Sequence, residues 1–89
     1  MSSDSDTLLS FPCDFPIKAM GLATPEFRGI VLDIVQMHCT EADVRKIDTR
    51  ASKGGKYHSI TITINATGRQ QLDKIYHALS ENSNVIMAL

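Results

Sequence analysis

The amino-acid sequence predicts an α+β domain in the order β-α-β-β-α-β, a single antiparallel sheet with both helices on one face. Three observations carry this. Residues 59–65, SITITIN, alternate strictly, with Ile60, Ile62 and Ile64 on one side and Ser59, Thr61, Thr63 and Asn65 on the other, the period of a half-buried strand. Two apolar stripes recur at helical spacing: Phe27, Ile30, Val31, Ile34 and Val35, then Leu72, Ile75, Tyr76 and Leu79. Between a polar strand and the isoleucine strand lie adjacent glycines, Gly54-Gly55, which accept the positive φ of a hairpin turn.

Each element follows from local chemistry. Residues 11–16, FPCDFP, place a proline after each phenylalanine; proline holds the preceding residue extended, so this is a stiff lead-in to a strand over 17–21. Thr24-Pro25-Glu26 reads as a helix start, with Thr24 as cap, Pro25 in the first helical position and Glu26 in the positive field of the N-terminus. Gly29, inside that helix, is expected to mark a close approach to a strand. The helix fades near His38-Cys39. Residues 44–50 form a charged strand of the kind found at a sheet edge. Thr67 and Gln70 have the spacing of a capping box, opening the second helix, and Asn82-Ser83-Asn84 ends it. VIMAL, residues 85–89, closes the chain as a last strand.

Two split βαβ halves of this kind put the strands in the spatial order 4-1-3-2, with the first and third strands central. Ile17, Ile60, Ile62, Ile64, Val85, Met87 and Leu89 are expected to form the floor under the helices. Ser59, Thr61, Thr63 and Asn65 then share the opposite face with Lys18 and Met20. An antiparallel sheet can leave such a face in water.

A chain of 89 residues is one domain near the small end of what folds alone. Residues 1–10 read as a flexible N-terminal arm and 11–89 as the domain. An apolar fraction of 43% and a charged fraction of 21% suit a globular protein rather than a disordered one. The net charge of −1 gives no global attraction to nucleic acid or to anionic membrane. The acidic start, MSSDSD, is unlike a signal peptide, and no segment has the roughly 20 apolar residues of a membrane-spanning helix. Cys13 and Cys39 have no metal-type spacing. They read as reduced thiols of a cytoplasmic protein, with one disulfide between them as the alternative.

Little in the sequence points to catalysis. His38, His58 and His77 fall on separate elements. His58 shares the inward phase of the isoleucines, so it cannot form a dyad with Ser59, which faces the other way. Paired carboxylates, phosphate loops and nucleotide-binding glycine motifs do not occur. A non-enzymatic module with no metal and no cofactor is expected. Arg45, Lys46, Arg50, Lys53 and Lys56 cluster around the hairpin, and with Tyr57 they form the candidate surface for nucleic acid. The central outward positions, however, lack the aromatic residues that stack bases. The loop into the first helix, with Gly21, Thr24 and Glu26, is the candidate ligand corner, because helix N-termini favour anions.

KAMG at 18–21, SKGGKYHSITITINAT at 52–67 and the closing Val-x-Met-x-Leu together resemble the small bacterial YbeD-like family of uncharacterised proteins. The resemblance runs from Phe11 onward, with one extra residue in the hairpin, Gly55 or Lys56. It implies a ferredoxin-like fold of the kind seen in ACT-type regulatory domains. Those modules pair side by side and bind small effectors near the loop between first strand and first helix. The Asp-x-Pro-Gly pattern frequent at that corner is absent; residues 20–26 read MGLATPE. The expectation is a regulatory or adaptor module that binds a small effector or a protein partner, with homodimerisation open. Gly21, Thr24 and Glu26 form one candidate site and Lys18, Ser59, Thr61, Thr63 and Asn65 the other. The alternative is a nucleic-acid-binding module using residues 45–56.

Overall fold

The computed structural model describes residues 10–89. The arm expected over 1–10 lies outside the described residues except for Ser10, which is exposed. Strand β1 (Cys13–Leu22) leads to helix α1 (Phe27–Gln36), a 3-10 turn (Glu41–Asp43) and strand β2 (Val44–Ala51). Strand β3 (Tyr57–Ala66), helix α2 (Arg69–Glu81) and the short strand β4 (Met87–Ala88) complete the chain. The strands form one sheet in the order β2-β3-β1-β4, every neighbouring pair antiparallel. This is the ferredoxin-like fold. None of the helices described is long and apolar enough to cross a membrane.

The core lies between the sheet and the helices. Ile60, Ile62, Ile64, Ile17 and Ala19 supply the sheet side, and Phe27, Val31, Val35, Ile75 and Leu79 the helix side, all 0–1% exposed. Each of the larger side chains contributes about 1.5–3 kcal/mol by leaving water. His58, in the same phase at the start of β3, is half-buried.

β1 begins at Cys13, so the proline-rich lead-in is itself strand, and Pro16 sits opposite Thr63 in a central strand. A proline there would ordinarily cost a ladder hydrogen bond. Lys18 exchanges backbone hydrogen bonds with Leu89, so it turns its polar groups toward β4. Pro16, two residues earlier, turns the same way, beyond the pairs that β4 makes, and no bond is forfeited.

Other expectations are corrected. Thr24 does not cap α1: the helix starts at Phe27 behind Glu26, with no side-chain cap bond. Thr24 instead closes the preceding turn, its carbonyl accepting from the Phe27 N–H at 3.3 Å. At α2 no reciprocal capping box forms: the helix starts behind Gly68 with no side-chain cap bond, and the side chain that meets Thr67 is Gln71, not Gln70. The Thr67 N–H donates to Gln71 Oε1 at 2.8 Å, while Gln71 Nε2 donates to the His38 carbonyl at 2.9 Å. One amide thus ties the start of α2 to the end of α1.

The closing strand is shorter than expected, and its phase is reversed. A bend at Ile86 breaks the alternation. Val85 and Ala88 pack against the core, whereas Met87 and Leu89 are 49% and 63% exposed. Ala88 is paired with buried Ala19, and Met87 with Met20 on the open face.

Gly29 is exposed, and an added Cβ there would meet nothing within 4 Å. The close approach belongs to Gly21, where a Cβ would run into the Asn84 carbonyl and the Phe27 ring. Gly29→Ala is therefore expected to stabilise the domain by about 1 kcal/mol, the helix-propensity difference. An unchanged or lowered urea midpoint would contradict this.

Candidate functional site

The open face of the sheet is where the sequence-predicted residues converge. β3 alternates through its length, so Ser59, Thr61, Thr63 and Asn65 stay half-buried between strands while the isoleucines go under the helices. β2 adds cations to this face through a local irregularity. Val44 pairs with Ile64 and Lys46 with Thr63, so Arg45 is an extra residue in the ladder. That bulge lets Val44 and Ile47 both pack on the core and turns Lys46, Asp48 and Arg50 outward.

The register then sets transverse rows across the sheet. One runs Arg50, Ser59, Met20, Met87; the next runs Asp48, Thr61, Lys18, Leu89. Lys18, Lys46, Asp48, Thr49, Arg50, Ser59 and Thr61 surround an open depression of about 420 Å³. Three of these residues are cationic and one is acidic, on a chain of net charge −1.

Pairing decides which charges are available. Arg45 is held 3.5 Å from Asp14, and Lys46 lies 3.6 Å from Asp48. Among the described residues, neither Lys18 nor Arg50 makes an ion pair. The floor is hydroxyl, from Ser59 and Thr61, which can donate or accept. Thr63 and Asn65 lie farther along the same face, toward Asp14 and Arg45.

The other sequence-predicted residues fall elsewhere. Lys53 and Lys56 sit on the hairpin turn, where Gly54 and Gly55 have φ of 86° and 73°. The Lys56 ammonium lies 5.5 Å from the centre of the Tyr57 ring, and its carbonyl accepts from the Ala23 N–H at 3.0 Å. Tyr57 lines a small apolar notch of about 120 Å³ with Met20, Ile86 and Met87. That notch, at the β1/β4 side of the open face, was not anticipated, because it depends on Met87 facing outward.

Gly21, Thr24 and Glu26 do not meet in one cradle. Gly21 is buried against Phe27 and Asn84. Thr24 borders a cleft of about 110 Å³ with Leu22, Phe27, Ser83, Asn84 and Ile86, and Glu26 stands outside its lining. The amides of Ala23, Thr24 and Phe27 already donate to carbonyls, and Glu26 puts a carboxylate beside an N-terminus that would otherwise attract anions.

Both cysteines are free. Burial, and secondarily Asp43, raises the Cys39 thiol above its ordinary pKa, which lowers the thiolate fraction. Burial also raises Tyr76, whose hydroxyl donates to the Leu89 main-chain oxygen at 2.7 Å. No group of three His, Cys, Asp or Glu able to hold a metal ion occurs among the described residues.

Comparison with known proteins agrees with this architecture. The UPF0250 protein of Paraburkholderia phytofirmans is 45% identical over 89 residues, covering 100% of both chains. The UPF0250 protein of Nitrosomonas europaea is 43% identical over 84 residues, 94% of this chain and 97% of that one. Among solved structures, the solution structure of protein HP0495 from H. pylori superposes with a TM-score of 0.71 at 14% identity, over 91% of this chain and 85% of that one. At that identity the likeness is one of fold. A family model described as a protein of unknown function, DUF493, matches residues 6–89. The chain belongs to this family, the UPF0250 or YbeD-like proteins that its hairpin and isoleucine strand resemble.

Proposed function

We propose that this domain is a non-catalytic adaptor or regulatory module of the cytoplasm, and that its open sheet face binds an acidic surface of a partner protein. The observation that carries the reading is the convergence of Lys18, Lys46 and Arg50 around Ser59 and Thr61, opposed only by Asp48. Lys18 and Arg50, which make no ion pair among the described residues, form with Lys46 a local attractive field that a complementary surface can satisfy.

The lining favours a macromolecule over a small effector. Small-ligand sites are lined predominantly by hydrophobic and aromatic side chains, whereas charged and hydroxyl residues line this depression. A protein surface suits it better than nucleic acid, because its lining of Lys, Arg, Asp, Ser and Thr offers no aromatic face on which a base could stack. Tyr57, the aromatic residue of the hairpin set, is set aside in the apolar notch and covered by Lys56.

Amide NMR of labelled protein tests this. Poly-glutamate is expected to shift Lys18, Lys46, Arg50, Ser59 and Thr61, and Lys18→Glu with Arg50→Glu is expected to weaken its binding about tenfold or more. Tighter binding of single-stranded RNA than of poly-glutamate, with a steep salt dependence, would favour the nucleic-acid reading. Shifts confined to residues 21–26 in a titration with small carboxylates would return the site to the helix corner.

A further inference from the structure

The open face carries two chemistries in register. In the row Arg50, Ser59, Met20, Met87, one end is cationic and the other apolar. Three strand spacings separate the ends, about 14 Å at ~4.8 Å per strand. Lys18 stands in the neighbouring row between the two halves. At the apolar end Met20, Tyr57, Ile86 and Met87 line a notch of about 120 Å³. Ile86 and Met87 are 60% and 49% exposed.

We infer that the partner segment bound by this face is an acidic peptide stretch with a large apolar side chain as anchor. The anchor enters the Met20–Tyr57–Ile86–Met87 notch while flanking carboxylates reach Lys18 and Arg50. The inference rests on the acidic-partner reading above and adds what gives it affinity. Exposed charge pairs contribute little by themselves; a bound complex needs a desolvated anchor, around which charges set orientation and encounter rate. Methionine suits such a notch, because its unbranched thioether adapts to differently shaped guests.

A second copy of this chain is a poor occupant. Two-fold apposition of the same face would offer Lys18 and Arg50 no unpaired carboxylate of that face. The acidic residues of the face, Asp14 and Asp48, are already paired with Arg45 and Lys46. The charge on the face selects a partner of opposite sign.

The test uses the full chain and three synthetic twelve-residue peptides: one of Asp and Glu with a central Phe, the same with a central Ala, and one of Ser and Gln with the central Phe. The acidic Phe peptide is expected to bind about 30-fold more tightly than the acidic Ala peptide, the increment for burying a large apolar side chain. Ile86→Thr with Met87→Thr is expected to remove that advantage and leave the acidic Ala peptide's affinity unchanged. An unaltered amide spectrum elsewhere shows that the variant is folded. Equal affinity for both acidic peptides overturns the anchor while leaving the cationic face standing. Equal affinity of the Ser/Gln peptide overturns the combined recognition. Failure of both acidic peptides to bind overturns this inference and the acidic-partner reading together.

Discussion

Ile62→Asp is expected to leave no folded protein at 25 °C, while Thr63→Asp, one residue away, folds. Ile62 is 0% exposed at the centre of β3, opposite Ile17 on one side and Ile47 on the other. Replacing it removes about 1.5–3 kcal/mol of apolar burial. It also places a carboxylate where no cation lies, and a charge buried without a partner costs several kcal/mol more. A domain of this size has about 5–10 kcal/mol in all, so the two losses together consume its stability. Thr63 points to the open face beside Lys46, where a carboxylate remains hydrated and has a cation for a neighbour. Far-UV circular dichroism with urea titration reads both variants. Comparable damage from the two substitutions would show that the facing of β3 is wrong, and the open-face site would go with it.

Gly21→Val carries the second-largest expected effect. Gly21 ends the buried run of β1, opposite His58, where the chain turns toward α1. A Cβ at this position runs into the Asn84 carbonyl, which is backbone, and into the ring of Phe27, which is 1% exposed in the core. Neither can swing away without moving the connection before β4 or the start of α1. Overpacking of this sort costs about 1–3 kcal/mol; valine, with two further methyl groups, is expected at or above the top of that range, and alanine near the bottom. Urea midpoints falling in the order glycine, alanine, valine are the expected result. A valine variant as stable as the parent would mean that this corner is loose enough to receive a ligand. The Gly21 substitution would then report on binding as well as on packing.

These two positions differ in how they could be read. Ile62 was legible because strand alternation is a local property: successive side chains on a pleated backbone must take opposite faces. The helical stripes were legible for the same reason, and so were the hairpin glycines, whose positive φ is a demand of the turn itself. Gly21 was not legible as a packing position. It reads as an ordinary strand end until Phe27, from the next element, and Asn84, from the far end of the chain, come against it. Gly29 misled in the opposite sense, because a glycine in a helix says only that a side chain is missing, not whether anything fills its space.

The candidate site divides along the same line. By itself, the sequence determined the strand order, the inward isoleucines and the outward row of Ser59, Thr61, Thr63 and Asn65 beside Lys18. It presented Lys18 and the basic hairpin as unrelated candidates. Tertiary structure decided that Lys46 and Arg50 join Lys18 around one depression while Arg45 is taken by Asp14, because the bulge at Arg45 resets the phase of β2 only when Val44 and Ile47 both find the core. It also decided that Met87 faces out beside Met20 and Tyr57, since the bend at Ile86 lets Ala88, rather than a larger neighbour, settle beside Ala19. Periodicity belongs to the backbone and can be read from neighbours in sequence; phase after a bulge or a bend belongs to the packing of the whole sheet, and only the assembled core selects it.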